Sequence, residues 1–135
     1  MNKDQRLQNE RANQNYFSGK VSELSRYIAY GLIAVVFGFI STDNTYFSGL
    51  SAAHKVDVAI SAILAIVSVS IDYLQHFLGY LGATTAANNP KEDYKRPPLG
   101  KVLMAVQLVG FYIKQALVAW GVILFLSILF QNMNF

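Results

Sequence analysis

Three long apolar runs constrain this chain more than any other feature. They extend from Tyr27 to Ile40 (YIAYGLIAVVFGFI), from Val56 to Leu81 and from Val102 to Phe130. A helix needs about 20 predominantly apolar residues, at ~1.5 Å rise each, to cross a bilayer. The second and third runs meet that length, and the first does so with a turn added from each flank. Lipid offers no partner to an unpaired backbone amide or carbonyl, so each run is expected to be an α-helix. The two-residue alternation of a barrel strand is absent. The expected fold is an all-α integral membrane protein with three transmembrane helices, at about 24–43, 56–81 and 102–130, in one domain over 23–130.

Composition agrees with that placement. Only 14% of the 135 residues are charged and 53% are apolar, whereas a soluble domain carries roughly a quarter charged residues. There is no cysteine, which excludes disulfides and thiolate metal sites. Residues 1–22, MNKDQRLQNERANQNYFSGKVS, form a polar arm. It is compatible with a helix until Ser18-Gly19, where an interruption is expected. It has no apolar stretch of the kind a cleaved signal needs, so the first span is expected to act as its own insertion signal. Residues 82–101, with Pro90, Pro97 and Pro98, are expected to be a linker that cannot continue a helix.

Basic residues near the span ends set orientation. Lys3, Arg6, Arg11, Lys20 and Arg26 precede the first apolar run, and Lys91, Lys95, Arg96 and Lys101 lie between the second and third. Lys55 alone stands in the first loop, and the C-terminal tail has none. The expected location is the inner (plasma) membrane, with the arm and the 82–101 loop cytoplasmic and the C-terminus outside. Anionic lipid attracts each such residue by about 1 kcal/mol near the surface, which accounts for the formal charge of +3. Nucleic-acid binding is disfavoured, because the arm mixes carboxylates and amides with its basic groups and carries no recognition signature.

Polar residues inside the second span are not scattered. On a helical wheel Asp57, Ser61, Ser68, Asp72, Gln75 and Gly79 fall within about 60° of one another, and His76 lies about 40° beyond. The third span repeats the pattern with Gln107, Gly110, Lys114 and Gly121, while Gln115 stands apart. A lysine at depth costs at least ~2.5–3.5 kcal/mol on insertion scales, so Lys114 requires a partner or water. Asp72 lies sixteen residues after Val56 and Lys114 sixteen before Phe130. If the outer ends are level, these two residues share a depth on antiparallel helices, and an ion pair is expected. His76 and Gln107 complete a feasible cluster on the same ruler. In the first span Gly31, Ala34 and Gly38 recur at steps that let helix backbones approach, so they are expected to be packing residues, as are Gly110 and Gly121.

These stripes admit two functional expectations, of which the first is preferred. In the first, copies of the chain assemble into a small ion-conducting or permeabilising pore, with Asp57, Ser61, Ser68, Asp72 and Gln75 along the path and Lys114 as countercharge or gate. In the second, the same faces bind a larger membrane or cytoplasmic protein, and the chain is a non-conducting accessory or anchor subunit. A structural ion pair between Asp72 and Lys114 carries similar weight. Membrane lipid and further copies of the chain are the expected partners. Catalysis is not expected, since no hydrolase, metalloprotease or phosphate-loop motif occurs. No cofactor or metal is expected either. His54 and His76, twenty-two residues apart, would be about 33 Å apart along a helix and cannot clamp one haem.

Overall fold

The computed structural model describes residues 3–41, 45–88 and 98–133. Four helices account for them: α1 (Lys3–Ser41), α2 (Thr45–Gly49), α3 (Ala52–Ala87) and α4 (Pro98–Asn132). α1, α3 and α4 are each long and apolar enough to cross a membrane. They lie against one another as a bundle, with α3 and α4 sharing the most extensive interface and α1 set chiefly on α3.

The helices run further than the apolar runs alone imply. The arm and the first span are one helix of 39 residues, about 58 Å long at 1.5 Å per residue. The interruption expected at Ser18-Gly19 does not occur. A mid-helix glycine costs only about 1 kcal/mol, and the Ser18 hydroxyl bonds back to the Asn15 carbonyl at 3.1 Å, inside the helical turn. α3 starts four residues before Val56 because Ser51 caps it, its hydroxyl accepting from the His54 amide at 3.3 Å. It then continues to Ala87, and α4 begins at Pro98, a residue whose fixed φ suits a first helical position. The expected 82–101 linker is therefore shorter at both ends. Pro90, Lys91, Lys95, Arg96 and Pro97 lie outside the described residues.

Heptad-like steps of three and four residues carry the packing. α3 turns Val58, Ser61, Ala65, Ser68 and Asp72 inward, all buried, followed by half-buried Gln75. α4 answers with Lys114, Val118, Gly121, Phe125 and Ile128. α1 contributes Ala29, Leu32 and Val36, extended by half-buried Ser22, Ser25 and Phe39 at the same steps. A 3–4 repeat of this kind places one seam of each helix against its neighbours. All three helices converge at Gly121, where a Cβ would stand 3.1 Å from the Ser61 carbonyl oxygen and 3.2 Å from a Leu32 methyl. A side chain there would press on the α3 backbone.

The small residues of α1 differ from expectation. Gly31, Ala34 and Gly38 are exposed, and a Cβ at either glycine would meet nothing within 4 Å. They lie on the opposite face from Ala29, Leu32 and Val36 and do not bring α1 onto α3 or α4. Small-residue spacing recurs on two faces of this helix, and the larger apolar side chains take the inward one.

α2 closes the end of the bundle remote from the arm. Tyr46 packs on Phe39, with ring centroids 6.0 Å apart, and Phe39 on Phe125 at 5.9 Å. The Tyr46 hydroxyl donates to the Leu129 carbonyl at 3.5 Å. Lys55 donates to the Ser48 carbonyl at 3.2 Å and sits over the Phe47 ring.

Candidate functional site: an ion cluster between three helices

At the arm end of the seam the side chains change from apolar to ionic. Asp72 on α3 is the centre. Lys114 on α4 donates to its Oδ1, and the Ser22 hydroxyl on α1 donates to the same oxygen at 3.1 Å. Lys114 also donates to the Ser22 oxygen at 2.6 Å, so the three groups form a closed ring. The other carboxylate oxygen, Oδ2, accepts from Arg26 on α1 through Nε and Nη2, each at 2.7 Å. One carboxylate therefore bridges two cations from two different helices.

Burial separates these partners. The Lys114 and Asp72 side chains are 4% and 9% exposed, Arg26 35% and His76 64%. The ammonium group also lies 5.6 Å from the Phe111 ring centroid, where the ring's negative face favours a cation. The Lys114 backbone is fixed too, because its carbonyl accepts from the Ser68 hydroxyl at 3.1 Å. A charge pair at this depth is held by geometry and extra hydrogen bonds, since neither partner alone would tolerate the surroundings.

Two further bridges flank the cluster. Below it, the Gln75 amide donates to the Gln107 carbonyl at 2.5 Å and Gln107 returns a bond to the Gln75 carbonyl at 3.3 Å. The pair passes over Gly110, where a Cβ would be 2.9 Å from the Gln75 amide nitrogen. On the α1–α4 side the Ser25 hydroxyl bonds to Gln115 Oε1. Gln115 Nε2 is buried without a partner among the described residues. Gln115 stands apart from the α4 stripe because it faces α1.

The structure brings Asp72, Lys114 and Ser68 together and joins Gln75 to Gln107. It does not join His76 to Gln107. His76 Nδ1 bonds the Asp72 carbonyl one turn back at 2.8 Å and stands 3.9 Å from Asp72 Oδ1. Its ring turns toward α1, into a cleft of about 260 Å³ lined by Arg26, Tyr30, Val69, Asp72, Tyr73 and His76. Ser61, fully buried, bonds only its own turn, to the Val58 carbonyl at 2.6 Å. Asp57, half-buried, makes no hydrogen bond or ion pair among the described residues. His54 lies at the other end, 3.3 Å from the Asn132 amide nitrogen. No three His, Asp or Glu side chains cluster as metal ligands among the described residues.

Arg26, Ser22 and Ser25 are the members that sequence reasoning missed. By its place in the sequence Arg26 reads as an orientation residue alone. The signal was present, because Arg26 lies fifteen residues before Ser41, at nearly the distance from the outer end that levels Asp72 with Lys114.

Fold and site together define a helical protein with three candidate membrane spans joined by an interhelical ion cluster. Comparison with family models, with curated proteins and with solved structures finds no match.

Proposed function

We propose that the chain is a non-conducting accessory or anchor subunit of a membrane assembly, with its arm in the cytoplasm and its C-terminus outside. The observation that carries this reading is the direction of the polar stripe. Ser61, Ser68, Asp72 and Lys114 are buried within a single chain, and their polar groups are used by neighbours in that chain. A pore between copies needs such groups on an outer face, where water could reach them. Here the exposed faces of the spans carry Val35, Phe37, Ile63, Leu74, Val109 and Ile123, side chains suited to lipid or to another apolar helix.

The arm supports an anchoring role. Residues 4–17 are exposed all round and helical, and an isolated helix of that polarity gains little from packing. Continuity with the first span gives it a fixed exit from the bundle. It presents Leu7, Tyr16 and Phe17 among charged and amide side chains, a surface suited to a cytoplasmic protein. The lysines and arginines counted above support the cytoplasmic placement.

A second reading, a small oligomeric pore, draws on one observation. The cleft beside Asp72 opens to the outside of the bundle, so part of the cluster is reachable by water. Ion flux through purified protein in liposomes separates the two. The expected result is no flux, with photo-crosslinkers at Leu7 and Tyr16 joining the chain to a protein of different mass in cells. Flux that Asp72→Asn alters would overturn the anchor reading in favour of the pore.

A further inference from the structure

Among the described side chains around Asp72 the charges do not balance. Lys114 and Arg26 share the single carboxylate of Asp72. The nearest other ion pair on α1 is Lys20–Glu23 at 3.0 Å, which is internally neutral. Counting it, three cations face two carboxylates. Asp57 is fifteen residues from Asp72 on α3, about 22 Å away at helical rise, and cannot neutralise the excess. Within this described group one positive charge is therefore left over, and the open wall of the cleft is where it meets the surroundings.

Arg26 forms that wall. A guanidinium has five N–H groups in a fixed fork, and Asp72 occupies two of them from one side. The remaining three have no partner among the described residues. Around them stand His76, whose Nε2 is the ring nitrogen not bonded to the Asp72 carbonyl, and the rings of Tyr30 and Tyr73. The cleft, of about 260 Å³, is far larger than the ~10–15 Å³ that admits a single water, and has room for a phosphate group.

Position decides what kind of anion can reach this cleft. Measured from Lys55, Asp72 is seventeen residues along α3 and His76 twenty-one, about 25 and 32 Å at helical rise. The hydrocarbon layer is about 30 Å thick. The cleft thus straddles the boundary at the arm end, where headgroup phosphates lie. A basic pocket between helices at this level has the chemistry that retains anionic headgroups, and a guanidinium fork matches phosphate oxygens two at a time.

We infer that the α1–α3 cleft binds the phosphate headgroup of an anionic lipid, with the outward N–H groups of Arg26 as its main donors. The inference rests on the membrane placement proposed above. Native mass spectrometry of protein released from micelles doped with phosphatidylglycerol or with phosphatidylcholine of the same acyl chains tests it. One phosphatidylglycerol per chain should be retained, with a preference of roughly fivefold or more for the excess cation. Arg26→Gln should abolish that preference. Arg26→Lys, which keeps a cation beside Asp72 but lacks the outward fork, should weaken it several-fold, and Arg11→Gln should leave it unchanged.

Equal retention of the two lipids, or an unchanged preference in both Arg26 variants, overturns the inference. Displacement of the lipid by millimolar inorganic phosphate overturns it too, because the site would then serve a soluble phosphoryl compound. Alkaline extraction of cell membranes keeps the two proposals apart. A chain released to the aqueous phase refutes the membrane placement, whereas a chain that stays in the membrane without lipid preference refutes the headgroup site alone.

Discussion

The two ends of this bundle bury their seams by different physics. At the end closed by α2, Val36, Val58, Phe125 and Ile128 meet. In the proposed membrane placement lipid tails are as apolar as these side chains, so their association gains dispersion and fit rather than relief from water. At the arm end, Ser22, Arg26, Asp72 and Lys114 meet, and hydrocarbon offers no substitute for those partners. Apolar seams tolerate rotation and sliding, because one methyl replaces another. The ion cluster permits one arrangement, since a shift of one turn would leave Lys114 beside Gln75 or Ser68 instead of a carboxylate. The apolar end supplies contact area, and the polar end sets register.

That contrast predicts a hierarchy of effects on stability, measured by thermal or denaturant unfolding in detergent with helicity as the readout. Asp72→Asn should be the most damaging change, at about 3–5 kcal/mol, because it strands two cations on one neutral amide. Lys114→Met should cost clearly less, since Arg26 and Asp72 remain as a balanced pair. Equal losses from the two variants would refute the picture of one carboxylate serving two cations.

In the apolar half, Gly121→Val should destabilise by about 1–3 kcal/mol through overpacking, because the Ser61 backbone oxygen cannot retreat as a side chain can. Gly110→Ala should be milder despite its shorter approach, since the group it meets is the end of Gln75, which can swing away. If Gly110→Ala proves the worse of the two, the Gln75–Gln107 bridge contributes more than its two bonds imply.

The smallest effect concerns the outward face of α1. Gly31→Ala should raise stability by up to about 1 kcal/mol, as helix propensity favours alanine and no clash follows. A drop in stability or oligomeric size in that variant, read by light scattering, would mean that a second helix packs on the stripe of Gly31, Ala34 and Gly38.

Much of this arrangement was legible before any coordinates. Apolar length identified the three long helices, and counting residues from the outer ends put Asp72 beside Lys114. The same count, applied to Arg26, would have completed the cluster. An arginine at the head of an apolar run has an ordinary explanation in topology, which masks that signal. Residue spacing alone failed on α1, where Gly31, Ala34 and Gly38 and the true seam of Ala29, Leu32 and Val36 have comparable periodicity. Side-chain volume separates them, since the larger groups fill the space left by Ser61 and Ala65 on α3. Ser18-Gly19 misled for a different reason, because local helix-breaking tendency is weak beside the continuity imposed by helix on both sides.

The unbroken passage of α1 from arm to bundle has a mechanical consequence. Ala29 is fully buried; taking it as a pivot, Asp4 lies twenty-five residues away, a lever arm of about 37 Å. Rocking the helix by about 10° about that pivot carries the arm's tip some 6 Å by the same geometry. Arg26 is less than one turn from the pivot, so the same rocking alters its grip on Asp72 by only about 1 Å. A displacement that is large at the arm's tip is therefore small at the ion cluster.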